Sequence, residues 1–285
     1  MAENEKNKIV GGTLYLVATP IGNLADISER AVKALTEVDF IAAEDTRNSM
    51  KLLSALGIKN ELVSYHEHNR RESGERICAR LLGGESCALI TDAGMPAISD
   101  PGEDIVRLAH GYGIKVSCMP GCSAVVTALA LSGLPTSRFA FEGFLPPKAG
   151  EKQRRLEKVK DDDRTLIFYE APHKLIGTLE AMASVFGSER KIALCRELTK
   201  LNEQIERGTL GEMLSDYAER EPRGEYVLVV EGAPEGSDND TSLSDLSPEE
   251  HVAFYEKSGL ARMDAIKSAA KDRGISKSEM YKLLL

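Results

Sequence analysis

The sequence predicts an α/β fold, with two sheet-bearing domains and a small helical tail. Three observations predict it. Short apolar runs alternate with helix-length patterned stretches from residue 13 to about 230, as expected where helices cover sheets. Several of those runs end in turns rich in Gly and Pro that lead into the next helix. Beyond an acidic stretch at 232–248 the chain regains a helical period.

The elements follow in order. Residues 1–11 open with MAENEKNK, which is polar and lacks the apolar centre of a secretion signal, so this end is expected to be disordered and the protein cytoplasmic. Strands are predicted at Thr13–Ala18, Val38–Ala43, Cys87–Thr91 and Ile114–Cys118, with helices over Ser28–Thr36, Arg47–Leu56, Glu72–Leu82, Glu103–His110 and Ser123–Leu131. Asp100-Pro101 is a helix start, with an acid at the cap and proline at the first helical position. The run Ser132-Gly133-Leu134-Pro135 ends a helix and marks the predicted boundary between domains at 12–133 and 134–231. The second domain carries strands at Phe139–Phe144, Thr165–Tyr169, Lys191–Cys195 and Tyr226–Val230, and a helix over His173–Phe186. Residues 232–248 hold almost no apolar side chains and read as a flexible linker. The tail, 249–285, contains helical pieces at Arg262–Lys271 and Ser276–Leu284 around a turn at Gly274.

Bulk properties narrow the function. At 285 residues, 42% hydrophobic and 28% charged, the chain has an ordinary globular composition, and no apolar run is long enough to span a bilayer. The five cysteines include no repeated close pair: Cys87, Cys118 and Cys195 lie in apolar strands as core thiols, and Cys118/Cys122 lacks the second pair a zinc site needs. The net charge of −9 argues against nucleic acid only superficially, because residues 231–250 alone carry seven acids and no base. Elsewhere the balance is nearly even, and phosphate contacts depend on local charge.

Three strand-to-helix turns carry the chemistry. The first, Val17-Ala18-Thr19-Pro20-Ile21-Gly22-Asn23, exposes backbone at a strand's carboxyl end, where α/β proteins bind ligands. In the second, Thr91-Asp92-Ala93-Gly94-Met95-Pro96-Ala97-Ile98-Ser99-Asp100, Gly94 allows close approach to the backbone. Asp92 supplies an acceptor for a cationic cofactor, or an Asx turn. The third, Met119-Pro120-Gly121-Cys122-Ser123-Ala124, is either a ligand loop or a helix capped by Ser123. There is no G-x-G-x-x-G after the first strand and no GK[ST] loop, which argues against nicotinamide and ATP chemistry.

With EDTR at Glu44–Arg47, YHEHN at Tyr65–Asn69, FEGFLP at Phe141–Pro146, FYEAPH at Phe168–His173 and RELTK at Arg196–Lys200, these turns resemble the RsmI family of ribosomal RNA small-subunit methyltransferases. This family is a branch of the tetrapyrrole-methylase superfamily, and the likeness runs in order from about residue 12 to 231. It implies S-adenosylmethionine in a cleft between two α/β domains, a homodimer, and 2′-O-methylation of a cytidine in the decoding centre of 16S rRNA within the small subunit. It further implies cofactor contacts from Pro20, Ile21, Asp92, Ala93, Gly94, Ile98, Ser123 and Ala124, with Tyr169, Gly224 and Glu225 from the second domain.

Methyl transfer to a ribose hydroxyl needs positioning and, because the hydroxyl is a weak nucleophile, a base or a polarising cation. Metal is not required. Candidate bases are Glu44 or Asp45, Glu67 or His66, and Glu170, while Lys200 is a candidate for orienting a phosphate or the 2′-oxygen. Asp45 has a competing role as a helix cap, and His173 as a helix-start residue. Basic clusters at Lys148–Arg164 and at Arg70, Arg71, Arg76 and Arg80 are candidate phosphate contacts or solvated helix faces. With no Trp and seven Phe, base stacking is not expected to be the main grip. The seven basic residues against four acids from Val252 onward suggest either an RNA contact or a docked helical hairpin. The alternatives to an rRNA enzyme are a methyltransferase of tetrapyrrole precursors and an RNA-binding protein with a vestigial cleft.

Overall fold

A computed structural model describes residues 8–234, 246–257 and 259–284. Of the expected disordered end, residues 1–7 lie outside the described residues, as do 235–245 of the expected linker. The described residues form two compact units, one running to residue 160 and from 164 to 231, the other holding 161–163 and the residues from 232 onward.

The first unit contains two five-stranded sheets. Strands β1 (Thr13–Val17), β2 (Phe40–Ala43), β3 (Leu62–Ser64), β4 (Cys87–Ile90) and β5 (Lys115–Met119) form a wholly parallel sheet of order β3-β2-β4-β1-β5. Helices α1 (Glu29–Glu37) and α2 (Thr46–Ala55) supply Ala31, Ala34, Leu35 and Leu53 to one face of it. Helices α3 (Arg70–Leu82) and α4 (Gly102–Gly111) supply Ile77, Leu81, Ile105 and Ala109 to the other. Burial on both faces explains why β2 and β4 are unbroken apolar runs rather than alternating ones.

Helix α5 (Ala124–Ser132) follows β5 and ends at Gly133, whose φ of 77° gives the left-handed C-terminal turn. Its Val125, Ala128 and Leu129 pack on Ile167, Ala193 and Val229 of the second sheet. That sheet joins β6 (Phe139–Phe144), β7 (Thr165–Glu170), β8 (Lys191–Arg196), β9 (Gln204–Thr209) and β10 (Tyr226–Val230) in the order β6-β7-β10-β8-β9. Only β6 and β7 are parallel to their neighbour, and β10 runs against both β7 and β8. Helices α6 (Ala149–Val159), α7 (Leu175–Phe186) and α8 (Leu210–Tyr217) bury Leu156, Leu179 and Met213 against its outer face.

Strands β3 and β9 and helices α6 and α8 are additions to the expected elements. β3 is three residues long, too short to carry a pattern, and β9 (QIERGT) is a polar edge strand with no fully buried position. Helix α8 did leave a trace: Thr209 and Glu212 form a reciprocal capping box. All five cysteines are free; Cys87 and Cys195 are buried as expected, whereas Cys118 is half-buried.

The second unit is helical, with α9 (Pro248–Lys257), α10 (Arg262–Asp272) and α11 (Lys277–Leu283). It has its own small core of Val252, Ala265, Ile266, Ala269, Ala270 and Met280. His251 is fully buried in it, between Asp272 and Arg273. Among the described residues no helix is long and apolar enough to cross a membrane.

Candidate functional site

Strands β4, β1 and β5 are adjacent and parallel, so the three Gly/Pro turns emerge side by side from one edge of the sheet. Backbone bonds lock the first two turns together: Thr19 N–H donates to Gly94 O (2.9 Å) and Gly94 N–H to Thr19 O (3.1 Å). In the second sheet, the antiparallel setting of β10 brings its first residue opposite the last residues of β7 and β8, with Tyr226 in register with Glu170 and Arg196. Glu170, Glu197 and Glu225 are thereby gathered at one edge.

These two edges line a single cavity of about 710 Å³, within the range of nucleotide-sized ligand sites. Ile21, Asp92, Ala93, Gly94, Ile98, Ser123 and Ala124 line it from the first sheet, and Tyr169 and Glu225 from the second. Of the candidate catalytic residues, Glu44, Glu170 and Lys200 line it too.

Four expected residues are placed elsewhere. Pro20 is absent from the lining and serves the turn between Thr19 and Ile21. Gly224 is absent as well. Its φ of 79° and the contact an added Cβ would make with Glu197 Cγ (2.5 Å) tie it to the packing of Glu197. Asp45 caps α2, accepting from Arg47 N–H at 2.8 Å and from the Arg47 guanidinium. Those bonds from Arg47 hold its carboxyl at about 2, too acidic to take a proton from a hydroxyl. Glu67 is exposed and lines a neighbouring groove of about 300 Å³ with Arg70, Asp104 and Arg107. YHEHN is a turn there rather than an extended loop, and the rings of His66 and His68 meet edge-on at 5.9 Å.

Electrostatics separates the remaining candidates. Burial pushes the Glu44 carboxyl above its ordinary value, opposed by a bond from Thr91 Oγ1 (2.9 Å) and helped by Asp100 and Asp92 nearby. Both Glu170 oxygens are already engaged, one with Ala171 N–H and the other with Thr178 Oγ1. Burial alone would pull the Lys200 ammonium down. Its bonds to Glu225 Oε2 (2.8 Å) and Glu197 Oε1 (2.9 Å) outweigh that and hold it above the usual lysine value. Lys200 is thus a fixed cation. Burial raises the Cys195 thiol to about 12, which makes it an inert part of the wall.

Sequence reasoning missed Phe144, Glu197 and Leu198, which also line the cavity. It missed strain too: among the described residues, the non-glycine residues with positive φ are Ala97 (69°), Ser99 (62°), Glu197 (50°) and Thr199 (65°). All four sit in two cavity-lining loops, and backbone of this kind, costing roughly 1–3 kcal/mol per residue, concentrates at functional sites. The Ser123 position caps α5 as expected, but its side chain makes no capping bond, and the residue lines the cavity.

The site fits a nucleoside sulfonium cation. Six carboxylates and one ammonium line it, a balance that attracts positive charge. Gly94 is buried and carries no side chain into the space beside Ile21, where an added Cβ would lie 3.3 Å from Ile21 Cγ2. The apolar wall includes Ile98, which is 49% exposed.

The basic clusters are largely committed. Arg70 pairs with Asp104, Arg76 with Glu72, and Arg80 with Glu61 and Glu85. In α6, Arg155 pairs with the buried carboxylate of Glu142, whereas Arg154 bonds only to Gly150 O of its own helix. Arg155→Ala is therefore expected to cost roughly 2 kcal/mol in thermal unfolding by stranding Glu142, with Arg154→Ala nearly neutral. Equal melting temperatures would refute this.

A parallel sheet and a mixed sheet sharing one ligand cavity at their strand ends define a methylase of the tetrapyrrole type. Residues 13–214 match the family described as Tetrapyrrole (Corrin/Porphyrin) Methylases. The fold is similar to uroporphyrin-III-C-methyltransferase from Thermus thermophilus (TM-score 0.53, 22% identity, 76% of this chain and 94% of that one). It is also similar to diphthine synthase (TM-score 0.59, 14% identity, 77% and 90%). In sequence the chain is 48% identical to ribosomal RNA small subunit methyltransferase I of Halalkalibacterium halodurans, covering 95% of this chain and 94% of that protein. It is 47% identical to the Bacillus subtilis protein of the same name (95% and 93%) and 52% identical to that of Pseudomonas aeruginosa (80% and 82%). The chain belongs to the ribosomal RNA small subunit methyltransferase I family.

Proposed function

We propose that the protein transfers a methyl group from S-adenosylmethionine to the 2′-hydroxyl of a cytidine in the decoding centre of 16S rRNA. It acts in the cytoplasm, as a homodimer, on the small ribosomal subunit. The observation that carries this reading is the convergence of three adjacent strand-end turns and the Glu44–Lys200 pair of charges on one cavity. Relatives named for small-subunit rRNA methylation, at 47–48% identity over 95% of the chain, support the substrate.

S-adenosylmethionine, when bound, supplies an activated methyl on a positively charged sulfur. Asp92, Ala93, Gly94, Ser123 and Ala124 would hold it through backbone and short polar groups, with Ile21, Ile98 and Tyr169 as apolar walls. Glu44 accepts the hydroxyl proton as the 2′-oxygen attacks, since its raised affinity for a proton suits it to a base. Lys200, locked as an ammonium by Glu197 and Glu225, steadies developing negative charge on that oxygen or an adjoining phosphate. The reading is tested by radiolabelled methyl transfer to small subunits, free 16S rRNA and tetrapyrrole precursors in parallel. Label in the precursor rather than in RNA would overturn it.

The helical tail contributes substrate affinity. With its own core of Val252, Ala265, Ile266 and Met280, deleting 249–285 is expected to leave methyl-donor affinity unchanged. Half-saturating subunit concentration should rise several-fold at constant maximal rate, the signature of lost uniform binding. A lowered melting temperature of the residual fold with unchanged kinetics would assign the tail to stability instead.

A further inference from the structure

We propose that Phe144 is a stacking platform for the target nucleobase and that Asp100 accepts a hydrogen bond from that base's amino edge. This inference rests on the rRNA reading above and names the residues that would hold the substrate base in the same cavity.

Phe144 ends the edge strand β6 and is 63% exposed, the most exposed aromatic side chain among the described residues. Most of this apolar ring is left in solvent at the rim of the cavity, where burial contributes little to the fold. It is there by construction: the register of β6 against β7 slips between Phe141 and Gly143, and Gly143 has φ of 67°. A bulge of this kind re-aims the following side chain, and here the following side chain lines the cavity. The ring is braced from behind by Tyr169, whose own ring it meets edge-on at 5.4 Å, and Tyr169 rests in turn on Phe141 at 4.9 Å. One face of a rigid aromatic is thereby offered to the cavity, at little entropic cost on binding.

The same wall holds an unmet acceptor. Asp100 Oδ1 takes the Ala97 and Gly102 amides (3.0 and 2.6 Å), which fixes the carboxylate, while Oδ2 is buried without a partner. A buried carboxylate oxygen left unpaired is costly, and a donor arriving with a ligand relieves that cost. Ser99 joins the two features, because a Cβ at Gly143 would lie 3.4 Å from Ser99 Oγ. Ser99 and Asp100 also border the neighbouring groove that contains Arg70 and Arg107. Arg70 and Arg107 are paired there with Asp104 and Glu103, so the groove offers no free cation of its own. The ring comes from the second sheet, whereas the Gly94 and Ser123 turns come from the first. That position favours a base extruded from RNA over the adenine of the methyl donor. An amino-bearing ring stacked on Phe144 satisfies both residues at once. Composition alone, with its shortage of aromatics, pointed the other way; one well-placed ring is enough.

The test uses the full-length chain, small subunits lacking the modification, and Phe144→Ala, Phe144→Tyr and Asp100→Asn. Stacking on one aromatic is worth about 5- to 100-fold in affinity. Phe144→Ala should therefore lower kcat/KM for subunits by that factor with calorimetric affinity for S-adenosylmethionine unchanged, and Phe144→Tyr should restore it. Asp100→Asn keeps an oxygen for the two amides and turns the unmet acceptor into a donor, so it too should lower kcat/KM at constant methyl-donor affinity. Loss of S-adenosylmethionine affinity in parallel with activity would make the ring the donor's platform and overturn the inference, as would wild-type kinetics in Phe144→Ala. A wild-type protein that binds S-adenosylmethionine but leaves subunits unmethylated would overturn the rRNA reading itself, and this inference with it.

Discussion

Gly94→Val is expected to lower affinity for S-adenosylmethionine by roughly 100-fold or more, enough to silence the enzyme at ordinary methyl-donor concentrations. Two effects add. The residue has φ of 83°, which a β-branched side chain adopts only under strain of about 1–3 kcal/mol. Its Cβ would also lie 3.3 Å from Ile21 Cγ2 and 3.6 Å from Cys122 O, so the branches extend into the space all three turns share. The strain reaches the fold as well, because Gly94 pairs through its backbone with Thr19. A modest fall in melting temperature should accompany the loss of binding, and the fold should survive. Gly57→Val is the control. Gly57 has φ of 69° but nothing within 4 Å of an added Cβ, and it ends α2 away from the cavity lining. It should lose comparable stability and no affinity. Calorimetric titration of both variants decides the matter: equal affinities would show that the Gly94 loop does not touch the methyl donor.

The contrast between these glycines marks what was legible in the sequence. Turns written in Gly and Pro announce themselves, because few other residues fit them, and the three that surround the cavity were readable in that way. Their adjacency was not written locally. It depends on the strand order β4-β1-β5, which sets sequence-distant runs side by side. Glu197 and Thr199 were hidden for a different reason: nothing in Arg196-Glu-Leu-Thr-Lys200 signals a left-handed backbone, which tertiary contacts impose. Gly22 shows how such contacts are made possible, since a Cβ there would sit 2.5 Å from Lys200 Cγ. The pair Glu44-Asp45 shows the limit of residue type as a guide. Both are acids in one motif, yet one is half-buried beside Thr91 and the other is a helix cap bound to Arg47. The Phe144 bulge belongs with them, being a matter of strand register and not of composition.

Glu44→Gln is expected to lower the maximal rate by roughly 100- to 10,000-fold, the usual range for a general base, with methyl-donor affinity nearly unchanged. The pH dependence carries the sharper information. A base must be unprotonated, so the wild-type rate should fall as pH drops through the Glu44 value, which burial sets above the ordinary 4.5. The residual rate of Glu44→Gln should lack that acid limb. Asp45→Asn retains a capping side chain and should keep it. Stability runs the other way. The folded protein holds the Glu44 proton more tightly than the unfolded chain does. The group's favourable contribution is therefore complete below pH 4.5 and is lost as pH rises through the folded value. At neutral pH the ionised, desolvated carboxylate opposes folding. Glutamine imitates the protonated form and its oxygen still accepts from Thr91 Oγ1. The slow variant should consequently melt higher than wild type at pH 7 and at the same temperature in mild acid. A variant that is slow and also less stable at pH 7 would make Glu44 a packing residue, and one that keeps both rate and acid limb would move the base to another group.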